Sequence, residues 1–277
     1  MSFFINNTEP SEAYFNGSEV SSIYYNGTLV WKVVKFEWGD ETAIGDSAWW
    51  LALKEWATGA SAAERAAWIG KTKKTSLSTA VLGAEAFTMR CIGADEDGEG
   101  TLTFESAYLA PSDNIFAGTS TTASWMKGDV RALCQDIYKY CSAKDAIKTV
   151  SKGTCAGINT SRNGTPTYNN ETVFLLSERE IGYDSYAPIS VANSTTTKAE
   201  CTYGYNAPYS YYANGGSRVK NQGTVSGNAA STTYAYWLRS RYYKSSSPTK
   251  MLRISSGNIS DKSYNSAQCL APAFVIG

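Results

Sequence analysis

Apolar residues recur along this chain at two periods, one helical and one of strands. After Asp46 and Ser47, residues Trp49, Trp50, Leu53, Trp56 and Ala57 follow three- and four-residue spacing, which predicts a helix with its tryptophans in the core. Ala62 to Ile69 continues as a second helical turn or a short helix beyond Gly59. Met126, Val130, Leu133, Cys134, Ile137, Tyr138 and Cys141 share one face of a further helix, with Ser124 placed to cap it. On that face Cys134 and Cys141 stand about 10 Å apart along the axis, too far for a mutual disulfide.

Elsewhere the period is that of strands. Lys71 to Ser78, Ala86 to Ile92 and Thr101 to Phe104 read as strands, Ala146 to Val150 as a short one, and Val173 to Leu176 as a buried one. Ser177-Glu178-Arg179-Glu180 has the capping-box form that starts a short helix. Near the C-terminus Met251 to Ser255 alternates, so that Leu252 and Ile254 face inward while Arg253 and Ser255 face out. Ser256-Gly257-Asn258 is a turn, Ile259 begins the return strand, and the wholly apolar Ala273 to Ile276 reads as a central strand.

Residues 1–34 form a separate β module by pattern. Two Asn-Gly hairpin signals, at Asn16-Gly17 and Asn26-Gly27, sit among short β segments. So small a unit cannot stabilise itself and must pack on the main domain, on a copy of itself or on a larger assembly. Residues 154–170 and 183–233, rich in Gly, Asn, Ser and Thr, read as long loops; the clustered Tyr203, Tyr205, Tyr209, Tyr211 and Tyr212 either flank a binding surface or, for the last two, enter the core.

Composition narrows the function. The chain has 25 Lys and Arg against 25 Asp and Glu, so no net charge steers it to nucleic acid or an anionic membrane. It has no histidine, which removes the commonest general base and the commonest metal ligand. The six cysteines lack a C-x-x-C pair and read mainly as buried free thiols. The acidic loop Asp95 to Glu99 offers carboxylates to a cation but lacks the spaced calcium-loop frame, and reads as a solvated turn. There is no secretory signal and no run of about 18 apolar residues, so synthesis in the cytoplasm without membrane insertion is expected, with no metal and no cofactor.

What the chain carries in place of catalytic chemistry is a paratope composition. Between Tyr234 and Gly277, stiff amphipathic tyrosines and adaptable small polar residues are threaded through a fixed-looking frame. The candidate ligand-binding residues are Tyr236, Arg241, Tyr242, Tyr243, Lys244, Ser245, Ser246, Lys250, Arg253, Ser255, Ser260, Asp261, Lys262, Tyr264 and Asn265. The frame is marked by Trp237, Arg239 and Phe274. Arg239 is read as structural, because its guanidinium can bond several backbone carbonyls at the loop base.

The order Trp237-Leu238-Arg239-Ser240, loop, alternating strand, Gly-Asn turn and closing Pro272 to Ile276 resembles the C-terminal half of C-type-lectin-fold domains that carry the variable region of diversity-generating retroelement target proteins. Phe174 to Glu180 and Trp125 to Cys141 are similar to the same family, so the resemblance spans roughly residues 45–277. It implies an α+β, C-type lectin-like domain over 35–277, with two main helices around a small antiparallel sheet, long irregular loops and a variable region about 234–277. In such proteins mutagenesis falls on template adenines and scatters Asn codons to Tyr, Ser, Asp and Thr; Lys244, Lys250 and Lys262 fit that process less well. The stretch Ser21 to Lys32 resembles short β modules of phage tail proteins. Together these imply a phage receptor-binding adhesin, without enzyme activity, that acts outside the cell on a virion. Its expected partners are a protein or glycan ligand on a bacterial surface and tail or virion proteins through the N-terminal module, with a homotrimer as one assembly it allows. The alternatives are a fixed structural tail or virion protein and a formylglycine-generating-type oxidase. The oxidase needs a reactive cysteine pair near the C-terminus, where this chain has Cys269 alone.

Overall fold

A computed structural model describes residues 36–116, 125–154, 167–183, 208–241 and 250–277, together with the backbone of four short strands before residue 33. Those strands pair as two hairpins, β1 (Ala13–Phe15) with β2 (Ser18–Val20) and β3 (Ser22–Tyr25) with β4 (Thr28–Lys32), on either side of the two Asn-Gly signals.

After β5 (Ile44–Gly45) the helical period takes over. Helix α1 (Ser47–Gly59) starts where Asp46 accepts a hydrogen bond from Trp49 N, and it buries Trp50, Leu53, Trp56 and Ala57. A Ser61/Glu64 capping box opens α2 (Ala62–Ala66). Strands β6 (Thr72–Val81), β7 (Ala84–Ala94) and β8 (Leu102–Ser106) form an antiparallel meander, and β5 lies parallel on β6. Beyond β9 (Asn114–Ile115), helix α3 (Asp129–Tyr140) buries Val130, Cys134 and Ile137 and ends at buried Cys141. It is capped by Gly128 after a 3-10 turn over Trp125–Lys127; the expected cap, Ser124, lies outside the described residues.

The second half is short strands: β10 (Ile147–Lys148), β11 (Val150–Thr154), β12 (Thr167–Glu171) and β13 (Val173–Phe174). A four-residue helix, α4 (Ser210–Ala213), precedes β14 (Asn221–Gly223) and β15 (Ala229–Thr233). Then come β16 (Tyr236–Arg241), β17 (Lys250–Ser255), β18 (Asn258–Ser263), β19 (Ala267–Gln268) and β20 (Ala273–Ile276).

The last strand is inserted inside the main sheet, one position from its edge. β20 pairs with β8 on one side, and on the other with β10 and β13 placed end to end, which gives a seven-stranded sheet. All four of its residues are buried, as a wholly apolar interior strand requires. Trp50 of α1 closes over it, with ring centroids 5.3 Å from Phe104 and 5.6 Å from Phe274 in edge-to-face contact. Beside that contact Trp56 stacks on Trp68 at 4.1 Å.

The expected α+β lectin-like layout, two main helices around a small antiparallel sheet with long irregular loops, is overturned. The chain is mostly β: its described strands fall into seven sheets, while the α-helices among the described residues are short, with 13, 5, 12 and 4 residues. The stretches read as loops supply much of the difference. β12, which pairs with β11, and the β14–β15 hairpin form ladders in stretches where Ser, Thr, Asn, Gln and Gly outnumber apolar residues. Backbone groups bond across such ladders whatever the side chains, so hydropathy gave no period to read. Among the described residues no helix is long and apolar enough to cross a membrane.

Candidate ligand-binding surface

Strand β16 is anchored from below. Tyr236, Trp237, Leu238, Arg239 and Ser240 are all buried. Trp237 donates through its indole N–H to Asn114 O at 3.0 Å and packs edge-on against Phe116 at 5.6 Å. Ser240 Oγ accepts from Glu178 N at 3.2 Å.

Arg239 enters a buried charge cluster. It donates to Glu180 Oε2 and to Leu175 O at 2.8 Å, and through Nε to Gly153 O at 3.4 Å. Lys152 joins Glu180 from the other side at 3.3 Å and donates to Asp97 Oδ1 at 2.5 Å and Tyr209 OH at 2.6 Å. Tyr209 OH in turn donates to Asp97 Oδ2 at 2.7 Å. Two cations thus meet two carboxylates away from water, so the charge is balanced and most lone pairs are filled. Burial pushes the Glu180 carboxyl up, but Arg239 and Lys152 outweigh it and hold the group down at about 2. Burial, with Glu180 and Asp97 nearby, pushes the Tyr209 hydroxyl well up, so it stays a donor.

The same cluster accounts for the acidic loop. Asp97 is spent in it, Asp95 pairs with Arg65 at 2.8 Å, and Glu96 accepts from Ser210 N at 2.9 Å. The solvated turn expected here is instead a tie between β8, α2 and α4. Among the described residues no three His, Cys, Asp or Glu side chains gather to hold a metal.

Above this base, β16, β17 and β18 form a three-stranded antiparallel sheet. β17 and β18 are joined by Ser256 and Gly257 at φ 50° and 78°, the left-handed pair that a two-residue hairpin demands. The register sorts the candidate residues by face. Arg253 stands opposite Trp237 and Ser260, Lys262 opposite Met251, and Ser255 opposite Asn258, so Arg253, Ser255, Asn258, Ser260 and Lys262 share one face with the buried Trp237 and Met251. Lys250 and Asp261 share the other face with Leu252 and Ile254, and pair at 2.5 Å. The candidate set is therefore two sets.

On its face, half-buried Arg253 donates through Nε to Ser260 Oγ at 3.1 Å and through Nη1 to Gln268 Oε1 at 2.7 Å. Lys262 and Asn265 are exposed, Tyr264 half-buried. Tyr236 does not belong to the surface: it is 1 % exposed and its hydroxyl donates inward to Arg218 O at 3.0 Å. Alternation explains the correction, since Tyr236 opposes Ile254 on a buried position. Phe274 lies in the core of the main sheet. Tyr242, Tyr243, Lys244, Ser245 and Ser246 lie outside the described residues, and Arg241 is described by its backbone only.

The sequence reading missed a polar cleft of about 170 Å³ at the turn end of this sheet, lined by residues 218–220, 233–235 and 254–257. Exposed Tyr234 and Val219 stand at it. Beneath it Lys220 is buried against Glu105 at 3.0 Å, and Tyr212 OH donates to the same carboxylate. Gln268, which positions Arg253, was also missed. Its signal was only its place just after the polar stretch.

A family model described as a domain of unknown function, DUF6273, matches residues 102–277. The chain belongs to the DUF6273 family. Comparison with the curated proteins and with the solved structures finds no match. The DUF6273 segment starts at β8 and contains Lys152, Glu180, Arg239 and the whole β16–β18 sheet. Asp97 and Trp50 fall before it, so the DUF6273 segment shares both its ion cluster and its central sheet with the preceding residues.

Proposed function

We propose that this chain is a non-enzymatic ligand-binding protein of the adhesin type, which meets a protein or glycan on a bacterial surface through its β16–β18 sheet. The observation that carries the reading is the division of labour along Tyr236 to Asn265. Buried Arg239 is held by Glu180 and two backbone carbonyls, while Arg253, Ser255, Ser260 and Lys262 stand on one face above it. The half-buried and exposed side chains of that face can change while buried Trp237 and Met251 beside them stay fixed, which is what a binding surface on a rigid base needs.

The finer reading is a phage receptor-binding protein, held to tail or virion proteins by its N-terminal module and varied by a retroelement. The Tyr/Ser composition of residues 242–247 supports it. The state of Cys269 favours binding over oxidase chemistry. Its thiol donates to Asp113 Oδ1 at 3.0 Å and is pushed up by burial and by that carboxylate, away from the thiolate a copper site requires.

Deep sequencing of the gene's 3′ end across its source population tests the reading. Substitutions are expected at 241–243, 245, 246, 253, 255, 260, 261, 264 and 265, traceable to template adenines, with Trp237, Arg239 and Phe274 constant. A uniform 3′ end would withdraw the diversified-receptor reading.

A further inference from the structure

The two cations of β17 are treated differently. Lys250 has a carboxylate, Asp261, at 2.5 Å across the ladder. Arg253, three residues on and facing the other way, has only neutral partners, a serine hydroxyl at 3.1 Å and a glutamine carbonyl at 2.7 Å. Arg65, Arg131 and Arg239 each meet an acid, whereas half-buried Arg90 and Arg218, like Arg253, are held by neutral groups: Tyr211 for the first, the carbonyls of Ile181 and Gly182 for the second.

The neutral partners fix where Arg253 points without cancelling its charge. Among the described residues its Nη2 makes no protein hydrogen bond, and that nitrogen is not one of the chain's buried orphan atoms, so it reaches solvent. Lys262, exposed and without a carboxylate partner among the described residues, adds a second positive charge on the same face. Ser255, Asn258 and Ser260 supply neutral donors around them. No carboxylate belongs to this face of β17 and β18: Asp261 is on the reverse, and Asp113, beside β9, is turned to the Cys269 thiol. A guanidinium orientated in advance, with a fork of donors open and no internal counter-ion, suits a carboxylate.

We infer that the Arg253 face of the β16–β18 sheet is a carboxylate-binding subsite, with Arg253 as the direct partner of the anion and Lys262 as the second cation. This rests on the ligand-binding reading of the same sheet and names the chemistry of what it takes: an acidic group, borne by a polypeptide or by an acidic polysaccharide.

The test measures binding of the full chain to immobilised poly-L-glutamate and to polygalacturonate, with dextran as the neutral reference, at one fixed salt concentration. Wild type is expected to bind one or both acidic polymers and to pass over dextran, and the polymer preferred tells peptide from sugar carboxylate. Arg253→Gln is expected to weaken that binding by about tenfold and Arg253→Lys by less, because lysine keeps the charge and loses the fork. Asp261→Asn, on the reverse face, is expected not to weaken it. Equal binding by wild type and Arg253→Gln, or binding of dextran alone or of none of the three, would overturn the inference. Should Arg253→Gln fail to fold, Arg253→Lys decides it. Adsorption of the same proteins to bacterial cells separates the two readings. Cells that take up wild type and Arg253→Gln alike sink the subsite and keep the adhesin, whereas Arg253-dependent binding to acidic polymer without uptake by cells does the reverse.

Discussion

Arg239 of β16 and Glu180, 59 residues earlier in the chain, form an ion pair whose side chains are 1 % and 0 % exposed. Removing one partner of such a pair leaves a buried charge uncompensated. Arg239→Met is therefore expected to destabilise the fold by about 3–5 kcal/mol. Chemical denaturation measures it. A loss under 1 kcal/mol, on the order of a surface ion pair, would mean that the strand is held by packing alone.

The same pair makes stability pH-dependent. Glu180 is held at about 2 in the folded state against an ordinary 4.5, so its contribution is full above pH 4.5 and lost as pH falls toward 2. The urea midpoint of wild type should drop across that window. In Arg239→Met the drop should be shallower, since the chief cause of the low value is gone.

Lys152 faces two carboxylates at once, Asp97 and Glu180. Lys152→Met alone should therefore destabilise by several kcal/mol, and adding Asp97→Asn should recover part of the loss. Strict additivity in the double-mutant cycle would refute the cluster as a unit.

Single elements were legible while the fold class was not, and the reason they were legible also shows where reading stopped. Trp50, Leu53 and Trp56 announced α1 because one helical face is buried against one sheet. Ala273 to Ile276 announced an interior strand because every side chain had to be apolar. The Ser177/Glu180 box was visible as a motif and is present, Ser177 N donating to Glu180 Oε2 at 2.8 Å, yet the turn it forms is buried and its glutamate serves the ion cluster. Lys152, Asp97, Glu105 and Lys220 left no trace: a charged residue becomes a core residue only when distant segments bring its partner, and no local period records that. The split of the candidate surface into two faces was implicit in the alternation of Lys250 to Ser255, but needed the register with β18 to place Asp261 beside Lys250.

Gly227 is a further point where the backbone itself is the constraint. Its φ is 76° and a β-carbon would stand 2.8 Å from Ala86 O. Gly227→Ala should destabilise by about 1–3 kcal/mol and loosen the β14–β15 hairpin from β7, to which the Gly227 carbonyl is tied by Thr88 Oγ1 at 2.6 Å. Faster amide exchange at Glu85 and Ala86, which both donate to Val225 O, is the local readout.

The four described cysteines should be silent to a thiol reagent in the native state. Burial pushes the thiols of Cys91, Cys134 and Cys269 up and raises that of Cys141 to about 11, so at pH 8 all stay protonated as well as enclosed. In a Cys155→Ser, Cys201→Ser protein, labelling with an aromatic disulfide should appear only on unfolding. Rapid native labelling would show that one of the four is accessible.

The family segment begins at β8, in the middle of a hydrogen-bonded sheet, and this has a consequence for inheritance. A gene fragment cut at residue 102 would carry the β16–β18 sheet away with an open β-edge where β7 had paired, with Phe104 and Phe274 stripped of the Trp50 ring, and with Lys152 deprived of Asp97. Such a fragment is sticky rather than portable. In this chain the strand, the aromatic lid and the acid that precede residue 102 are parts of the same fold as the segment, so the seam between the two halves has to be inherited whole.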